Sequence, residues 1–293
     1  MAAKIIDGKA IAQQMQDEMK SDVDELISKG VTPRLDVVLV GEDPASQVYV
    51  RNKGRACDRL GMSSDTHRLP AETTQDELLK IVEGFNQNPA CHGILVQLPL
   101  PKHINDEAIL NAIDPAKDVD GFHPVNVGKM VVGEPGFLPC TPHGIQMLLI
   151  RSGIETKGKH VVVVGRSNIV GKPIANILVQ KKEGANAIVT IVHTAAPDMS
   201  VYTRQADILI AAVGRPEIIT ADMVKDDVVI IDVGINRIDD ATRERGYRLT
   251  GDVDFESVSE KAAWITPVPG GVGPMTITML MHNTIESARS TLS

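Results

Sequence analysis

Lys53 stands in the apolar face of a helix, where an ammonium group is out of place. Residues 44–60, PASQVYVRNKGRACDRL, read as a helix, and Pro44 suits its first position. At 3.6 residues per turn, Ser46, Tyr49, Val50, Lys53, Ala56, Cys57 and Leu60 share one face. Arg51, Arg55, Asp58 and Arg59 share the other, which marks the solvated side. Burial disfavours the charged form of an amine, so its pKa falls and it becomes an acid/base group. Tyr49 lies one turn from Lys53 and reaches the same space. On this helix alone, a plainer account also works: the stem of Lys53 is buried and its head snorkels to water.

A second chemical signal lies in VVVVGRSNIVGKP (161–173). Glycines and a serine sit between a buried strand and a helix, where a Rossmann unit places its phosphate loop. Backbone N–H groups at a helix start, together with the helix dipole, favour a pyrophosphate. The pattern is Gly165-x-Ser167-x-x-x-Gly171, so a hydroxyl replaces the usual second glycine and can donate to phosphate. NAD sites usually carry an acid at the end of the next strand. Here that strand ends in His193-Thr194-Ala195. No carboxylate repels a phosphate there, and Arg166 can pair with one, so NADP is expected over NAD. Arg166 can also be read as an ordinary solvated loop residue.

These groups need a frame. LDVVLVG (35–41) and GILVQLPLP (93–101) read as buried strands, with a weaker one near 67–69 and a helix over 74–85. An opening helix runs to about Gly30. Cys140-Thr141-Pro142-His143 reads as a boundary, since Thr141 can cap a helix and Pro142 can start it. Strands then recur at 160–165, 187–193, 207–214, 228–234 and 264–269. Helices are expected from Ile169, near Thr220 and from about Pro274. The fold class is α/β with two domains. Residues 1–140 form an N-terminal catalytic domain, to which a C-terminal helix (274–293) packs back, and 141–273 form a Rossmann-like domain.

Composition narrows the functions. A chain of 293 residues has room for two cores, and 43% hydrophobic content fits a globular enzyme. A net charge of −8 argues against a general nucleic-acid surface. Cys57, Cys91 and Cys140 form no CxxC and leave one thiol over in any pairing, so reduced thiols in a cytoplasmic protein are expected. No apolar run is long enough to span a bilayer, and the start MAAKIIDGKA lacks a signal peptide's core. No metal site is expected.

Together the motifs resemble the bifunctional methylenetetrahydrofolate dehydrogenase/cyclohydrolase family over essentially the whole chain. The segments that carry the resemblance are VGEDPASQVYVRNKGRACDRLGM (40–62), GILVQLPLP (93–101), KDVDGFHPVNVG (117–128), PCTPHGI (139–145), VVVVGRSNIVGKP (161–173), VIIDVGIN (229–236), GDVDFE (251–256) and ITPVPGGVGPMTITML (265–280). The resemblance implies NADP-dependent oxidation of methylenetetrahydrofolate and hydrolysis of the methenyl product to formyltetrahydrofolate, within one-carbon metabolism and purine biosynthesis. It also implies a folate cleft between the domains and a homodimer built through the nucleotide domain.

Matched one position at a time, the resemblance assigns roles. Tyr49 stacks on the folate, Lys53 is the acid/base group of hydrolysis, and Gln97 holds Lys53. Asp120 accepts from the pterin's N–H edge, which suits a carboxylate; without the resemblance it reads as an Asp-Gly turn. Gly165, Arg166, Ser167 and Thr194 fall at the cofactor's phosphates, with Thr194 standing where some members carry serine. The backbone of Ile235 meets the nicotinamide amide. Pro269, Gly270, Gly271 and Gly273 line the folate and nicotinamide, where small residues let backbone come close. A shikimate-type NADP dehydrogenase, a member with one activity and a non-catalytic binding protein are the alternatives.

Overall fold

The computed structural model describes residues 3–243 and 246–292. In chain order its elements are β1 (Lys4–Ile5), α1 (Gly8–Ser28), β2 (Arg34–Val40), α2 (Pro44–Leu60), β3 (Ser63–Leu69), α3 (Gln75–Gln87), β4 (Gly93–Val96), α4 (Asp106–Ala112), α5 (Pro124–Val132) and α6 (Cys140–Arg151). They continue as β5 (His160–Val164), α7 (Gly171–Leu178), β6 (Ile188–Val192), α8 (Ser200–Thr203), β7 (Ile208–Ala211), β8 (Val229–Asp232), β9 (Asn236–Asp239), β10 (Tyr247–Thr250), α9 (Phe255–Ser259), β11 (Trp264–Ile265) and α10 (Val272–Ser290). The chain divides into two compact units: Gln13–Cys140 with Ile277–Ser293, and Met1–Ala12 with Thr141–Thr276.

The first of these, the Lys53 unit, holds a three-stranded parallel sheet ordered β3-β2-β4. Val38 of β2, Ile94 of β4, Leu78 and Val82 of α3 and Ile109 of α4 share one core cluster. α2 packs on β2 and β3. Its limits follow from local chemistry. The Asp43 carboxylate accepts from the Ser46 N–H, Pro44 occupies the first turn, and Gly61 ends the helix at φ 77°, a left-handed conformation that glycine adopts freely. α10 packs back on this unit: Asn283 Nδ2 donates to the Val119 and Leu138 carbonyls, and the Ser287 hydroxyl to the His92 and Ala116 carbonyls.

The second, the Gly165 unit, holds a six-stranded parallel sheet ordered β1-β11-β8-β7-β5-β6. β5 has β6 on one side and β7 on the other, so strand order reverses there, at the crevice where doubly wound folds bind nucleotides. β9 and β10 form a separate antiparallel hairpin.

Several boundaries differ from the sequence reading. β1 and the start of α1 pack with the Gly165 unit, because β1 pairs with β11 at Lys4↔Trp264 and Ile5↔Ile265. The second unit runs to Thr276 rather than 273, and α10 begins at Val272 rather than Pro274. The expected strands 93–101 and 264–269 stop at Val96 and Ile265. Prolines follow in both, and proline has no N–H for a ladder. Near Thr220 there is only a 3-10 turn, Ala221–Met223, in place of a helix.

Candidate functional site

Lys53 does not snorkel. It is 7% exposed, and Ser46, Val50, Ala56, Cys57 and Leu60 on the same face are buried, while Arg51, Arg55, Asp58 and Arg59 are exposed. Its Nζ donates to Gln97 Oε1 at 3.1 Å. Gln97 follows β4, and its own Nε2 donates to the Leu98 carbonyl at 2.7 Å, which fixes the oxygen toward Lys53. Tyr49 is half-buried one turn earlier, and burial raises its phenol pKa.

Asp120 completes the group. Burial pushes the Lys53 ammonium below lysine's ordinary range, and the negative charge of Asp120 opposes that shift. Burial also raises the Asp120 carboxyl, with Lys53 pulling it down. The structure thus brings Lys53, Gln97 and Asp120 together in a desolvated spot, with Tyr49 on the same helix face. A proton can pass at modest cost where an amine is driven toward its neutral form.

Three neighbours, Asp118, Gly121 and Cys140, shape the turn that carries Asp120. The Asp118 carboxylate accepts from the backbone N–H groups of Phe122 and His123 and from Asn126 Nδ2, which ties the 118–123 turn; burial pushes its pKa up to about 6. Gly121 turns the chain at φ 76°, where a Cβ would collide with the Leu138 backbone. The Cys140 N–H donates to the Asp120 carbonyl at 3.3 Å, and its thiol donates to the neighbouring Val119 carbonyl at 3.2 Å. Asp118 was visible within KDVDG, but only as one more turn acid.

The Gly165 unit gathers the remaining residues at the carboxyl ends of its strands. Gly165 follows β5 at φ 134°, and a Cβ there would overlap the Ala212 carbonyl; one on Gly171 would overlap the Gly165 carbonyl. Only glycine permits this tight turn into α7. Arg166 and Ser167 are exposed. The Ser167 oxygen accepts from the Val170 and Gly171 N–H groups, so its proton remains available to an outside acceptor. Thr194 is exposed just after β6, and Ile235 is exposed after β8. Gly273 lies beside Ile235, a built Cβ being 3.8 Å from its Cδ1. Pro269 is exposed and Gly270 sits at φ 109°. Gly271 is packed so closely on Gly8 that a Cβ on Gly8 would overlap its carbonyl. A glycine-lined turn, an exposed guanidinium and a free hydroxyl proton at the switch point fit a phosphate-bearing dinucleotide.

Asp36, Asp65 and His67 form the one group with metal-ligand spacing among the described residues. Arg34 occupies Asp36, with Nε and Nη2 at 2.9 and 2.7 Å from its two oxygens, so the cluster is an ion-pair network. The three cysteines are free and buried, and burial pushes Cys57 and Cys91 up to about 12, which makes them inert thiols. No helix among the described residues is long and apolar enough to cross a membrane.

Comparison with known proteins identifies the family. Residues 6–120 match the family model "Tetrahydrofolate dehydrogenase/cyclohydrolase, catalytic domain", and residues 139–292 match its NAD(P)-binding domain. The bifunctional protein FolD of Prosthecochloris aestuarii is 60% identical over 290 residues, 98% of each chain. The crystal structure of the Campylobacter jejuni FolD enzyme superposes with a TM-score of 0.93 at 48% identity, covering 99% of this chain and 100% of that one. The Trypanosoma brucei enzyme, solved with NADP cofactor and inhibitor, gives 0.94 at 40% identity over 100% and 99%. With both domains matched and relatives of this identity over nearly the whole length, the chain belongs to the tetrahydrofolate dehydrogenase/cyclohydrolase family.

Proposed function

We infer that this enzyme carries out both family reactions with the residues described above. It oxidises 5,10-methylenetetrahydrofolate to methenyltetrahydrofolate with NADP, and hydrolyses that product to 10-formyltetrahydrofolate. The observation that carries the reading is the buried Lys53 ammonium bonded to Gln97 and charge-coupled to Asp120.

The Lys53 unit, residues 13–140 with 277–293, supplies the folate site and the hydrolysis. Asp120 accepts from the pterin's amide and amino N–H groups and so fixes the ring. Tyr49 stacks on its flat part. Water adds to the methenyl carbon and loses a proton to neutral Lys53 Nζ. The Lys53 ammonium returns that proton to N5, the bond from the carbon to N5 breaks with its electron pair staying on N5, and the hydroxyl on the carbon loses its proton as the formyl C=O forms. Gln97 Oε1 orients Nζ, and burial keeps the neutral amine accessible.

The Gly165 unit, residues 1–12 with 141–276, supplies the cofactor site. Gly165, Arg166, Ser167 and Thr194 hold phosphates, Arg166 that of the 2′ position. Ile235 offers backbone to the nicotinamide amide, and Pro269, Gly270, Gly271 and Gly273 line the ring region. When bound there, NADP would supply the acceptor for the hydride of the bridging carbon. The residues' own contribution is to position flat rings, for no proton moves at the reacting carbon.

The enzyme is read as a cytoplasmic homodimer built through the nucleotide domain. Three buried free thiols suit a reducing compartment. β6 is a sheet edge with Ile188 63% exposed and Ile191 also exposed, and an apolar edge of this kind is normally covered. The decisive experiment is purified protein with methylenetetrahydrofolate and either NADP or NAD, following reduced nicotinamide and methenyl absorbance separately. Absence of nicotinamide reduction, or methenyl product that is never hydrolysed faster than in buffer, refutes the bifunctional reading. A particle of one-chain mass by analytical ultracentrifugation refutes the dimer.

A further inference from the structure

Two fully enclosed carboxylates of the Gly165 unit take no part in the chemistry above. Asp252 is 0% exposed and Asp232 is 4% exposed. Among the described residues no cation pairs with either carboxylate; backbone N–H groups do. Asp252 Oδ2 accepts from the N–H groups of Val213 and Gly214 at 2.6 and 2.9 Å, and Oδ1 from that of Arg215 at 3.0 Å. Oδ1 also accepts from Asn236 Nδ2 at 2.9 Å. One side chain therefore ties the loop after β7 to the segment after β8. Gly214 and Arg215 are exposed on their outer side, so the loop turns its N–H groups inward to the carboxylate.

Asp252 is itself held. Asp232 Oδ1 accepts from the Asp252 and Gly234 N–H groups, and Oδ2 from that of Val253. The fit leaves no room for side chains between the two acids. A Cβ on Gly234 would overlap Asp252 Oδ1, and one on Gly251 would overlap Asp232 Oδ2. This accounts for the glycines of VIIDVGIN and GDVDFE, two motifs whose acids have no role so far.

The location is informative. In a doubly wound sheet the adenosine half of a dinucleotide lies toward the strand following the phosphate turn, here β6, and the nicotinamide half toward the opposite side of the switch point. Residues 213–215 and 235–236 lie at the carboxyl ends of β7 and β8, on that opposite side. Residue 212 also underlies the phosphate turn, through the close packing of Gly165 on the Ala212 carbonyl.

We propose that Asp252 is a positioning residue for the nicotinamide half of the cofactor, a two-loop clamp whose backbone Asp232 fixes in turn. The proposal rests on the cofactor reading given above. Asp252 touches no reacting atom; it sets where the backbone of residues 213–215 and 235–236 stands. Its signature differs from that of Arg166, because a nicotinamide-side clamp serves NADP and NAD alike.

The test is Asp252→Asn, which keeps the shape and turns an amide N–H toward backbone donors. Affinities for NADP and NAD are measured by calorimetry, and hydrolysis is measured on methenyltetrahydrofolate supplied directly. Trp264, the single tryptophan, lies in β11 of the same sheet and reports folding of this unit by its emission. The expected result is unchanged Trp264 emission, parent-rate hydrolysis, and both cofactors weakened about ten- to a hundredfold with their ratio kept. A folded variant that binds NADP as the parent does, or that loses only NADP and not NAD, overturns the proposal. If Asp252→Asn fails to fold, Asn236→Ala removes one arm of the clamp, and both cofactors should weaken severalfold; parent affinities there overturn the proposal too. A parent protein that binds neither nucleotide overturns the cofactor reading along with this one.

Discussion

Replacing Lys53 by methionine separates the two reactions. The change keeps an unbranched side chain of similar length and removes the ammonium. Gln97 Oε1 loses its donor, which costs about 1–3 kcal/mol if the oxygen finds no other partner. Against this, the fold no longer has to desolvate a charge that burial disfavours. The two effects oppose, so the thermal transition should move by only a few degrees. The rate effect has no such compensation. A lost general acid/base group costs about 10²–10⁴ in rate, or about 3–5 kcal/mol of barrier. Hydrolysis followed as loss of methenyl absorbance should fall by that factor, while nicotinamide reduction continues and methenyl product accumulates. A folded Lys53→Met protein that hydrolyses at the parent rate would show that the lysine is buried for packing alone.

Other perturbations test other parts of the site. Arg166→Ala should weaken NADP about ten- to a hundredfold relative to NAD, as expected for one lost charge-assisted pair; equal loss for both cofactors shows that Arg166 does not read the 2′-phosphate. Asp120→Asn presents donors toward the pterin's donors and should impair both activities; normal Michaelis constants and rates in both assays return Asp120 to the role of a turn residue. Asp232→Asn tests linkage. Burial lifts the Asp232 pKa from 3.8 to about 7, so between those values the folded state keeps a proton that the unfolded chain releases. Stability due to this group therefore falls as pH rises through that window, by on the order of 4 kcal/mol in all. The thermal transition of Asp232→Asn, relative to the parent, should thus improve from pH 4 to pH 7, and a constant difference across that range contradicts the shift.

The parts of the site that follow local rules were legible in the sequence. α2 could be bounded from Pro44 and its two-faced pattern alone, and Lys53 stood out because charge in an apolar stripe breaks the period. The turn at Gly165 was visible as punctuation between a Val run and a helix. What stayed hidden depends on distance along the chain or on backbone contacts. β1 has two residues and a partner about 260 positions away, so no window contains its signal. The hairpin β9–β10 has alternating exposure but few apolar residues, so it reads as loop. Asp118, Asp232 and Asp252 accept from backbone N–H groups, which every residue carries, so nothing in the sequence marks their partners. α4 and α5 are short, and their caps, Asn105 and His123, show only once the chain is folded.

The pairing of β1 with β11 bears on how the chain is made. A ribosome delivers residues in order at about 5–20 per second. Lys4 and Ile5 are made about 260 residues before Trp264 and Ile265, and their strand has no neighbour until those appear. The Lys53 unit waits as well, because residues 277–290 supply Asn283 and Ser287, which satisfy the carbonyls of Val119, Leu138, His92 and Ala116. Neither unit can reach its final structure until residues 264–290 have been made. Contacts of such long range make folding slow. Nascent chains should accordingly show protease-sensitive intermediates until residues 264–290 are made, and a ribosome stalled just before residue 264 should display neither β1 protection nor a completed Lys53 unit.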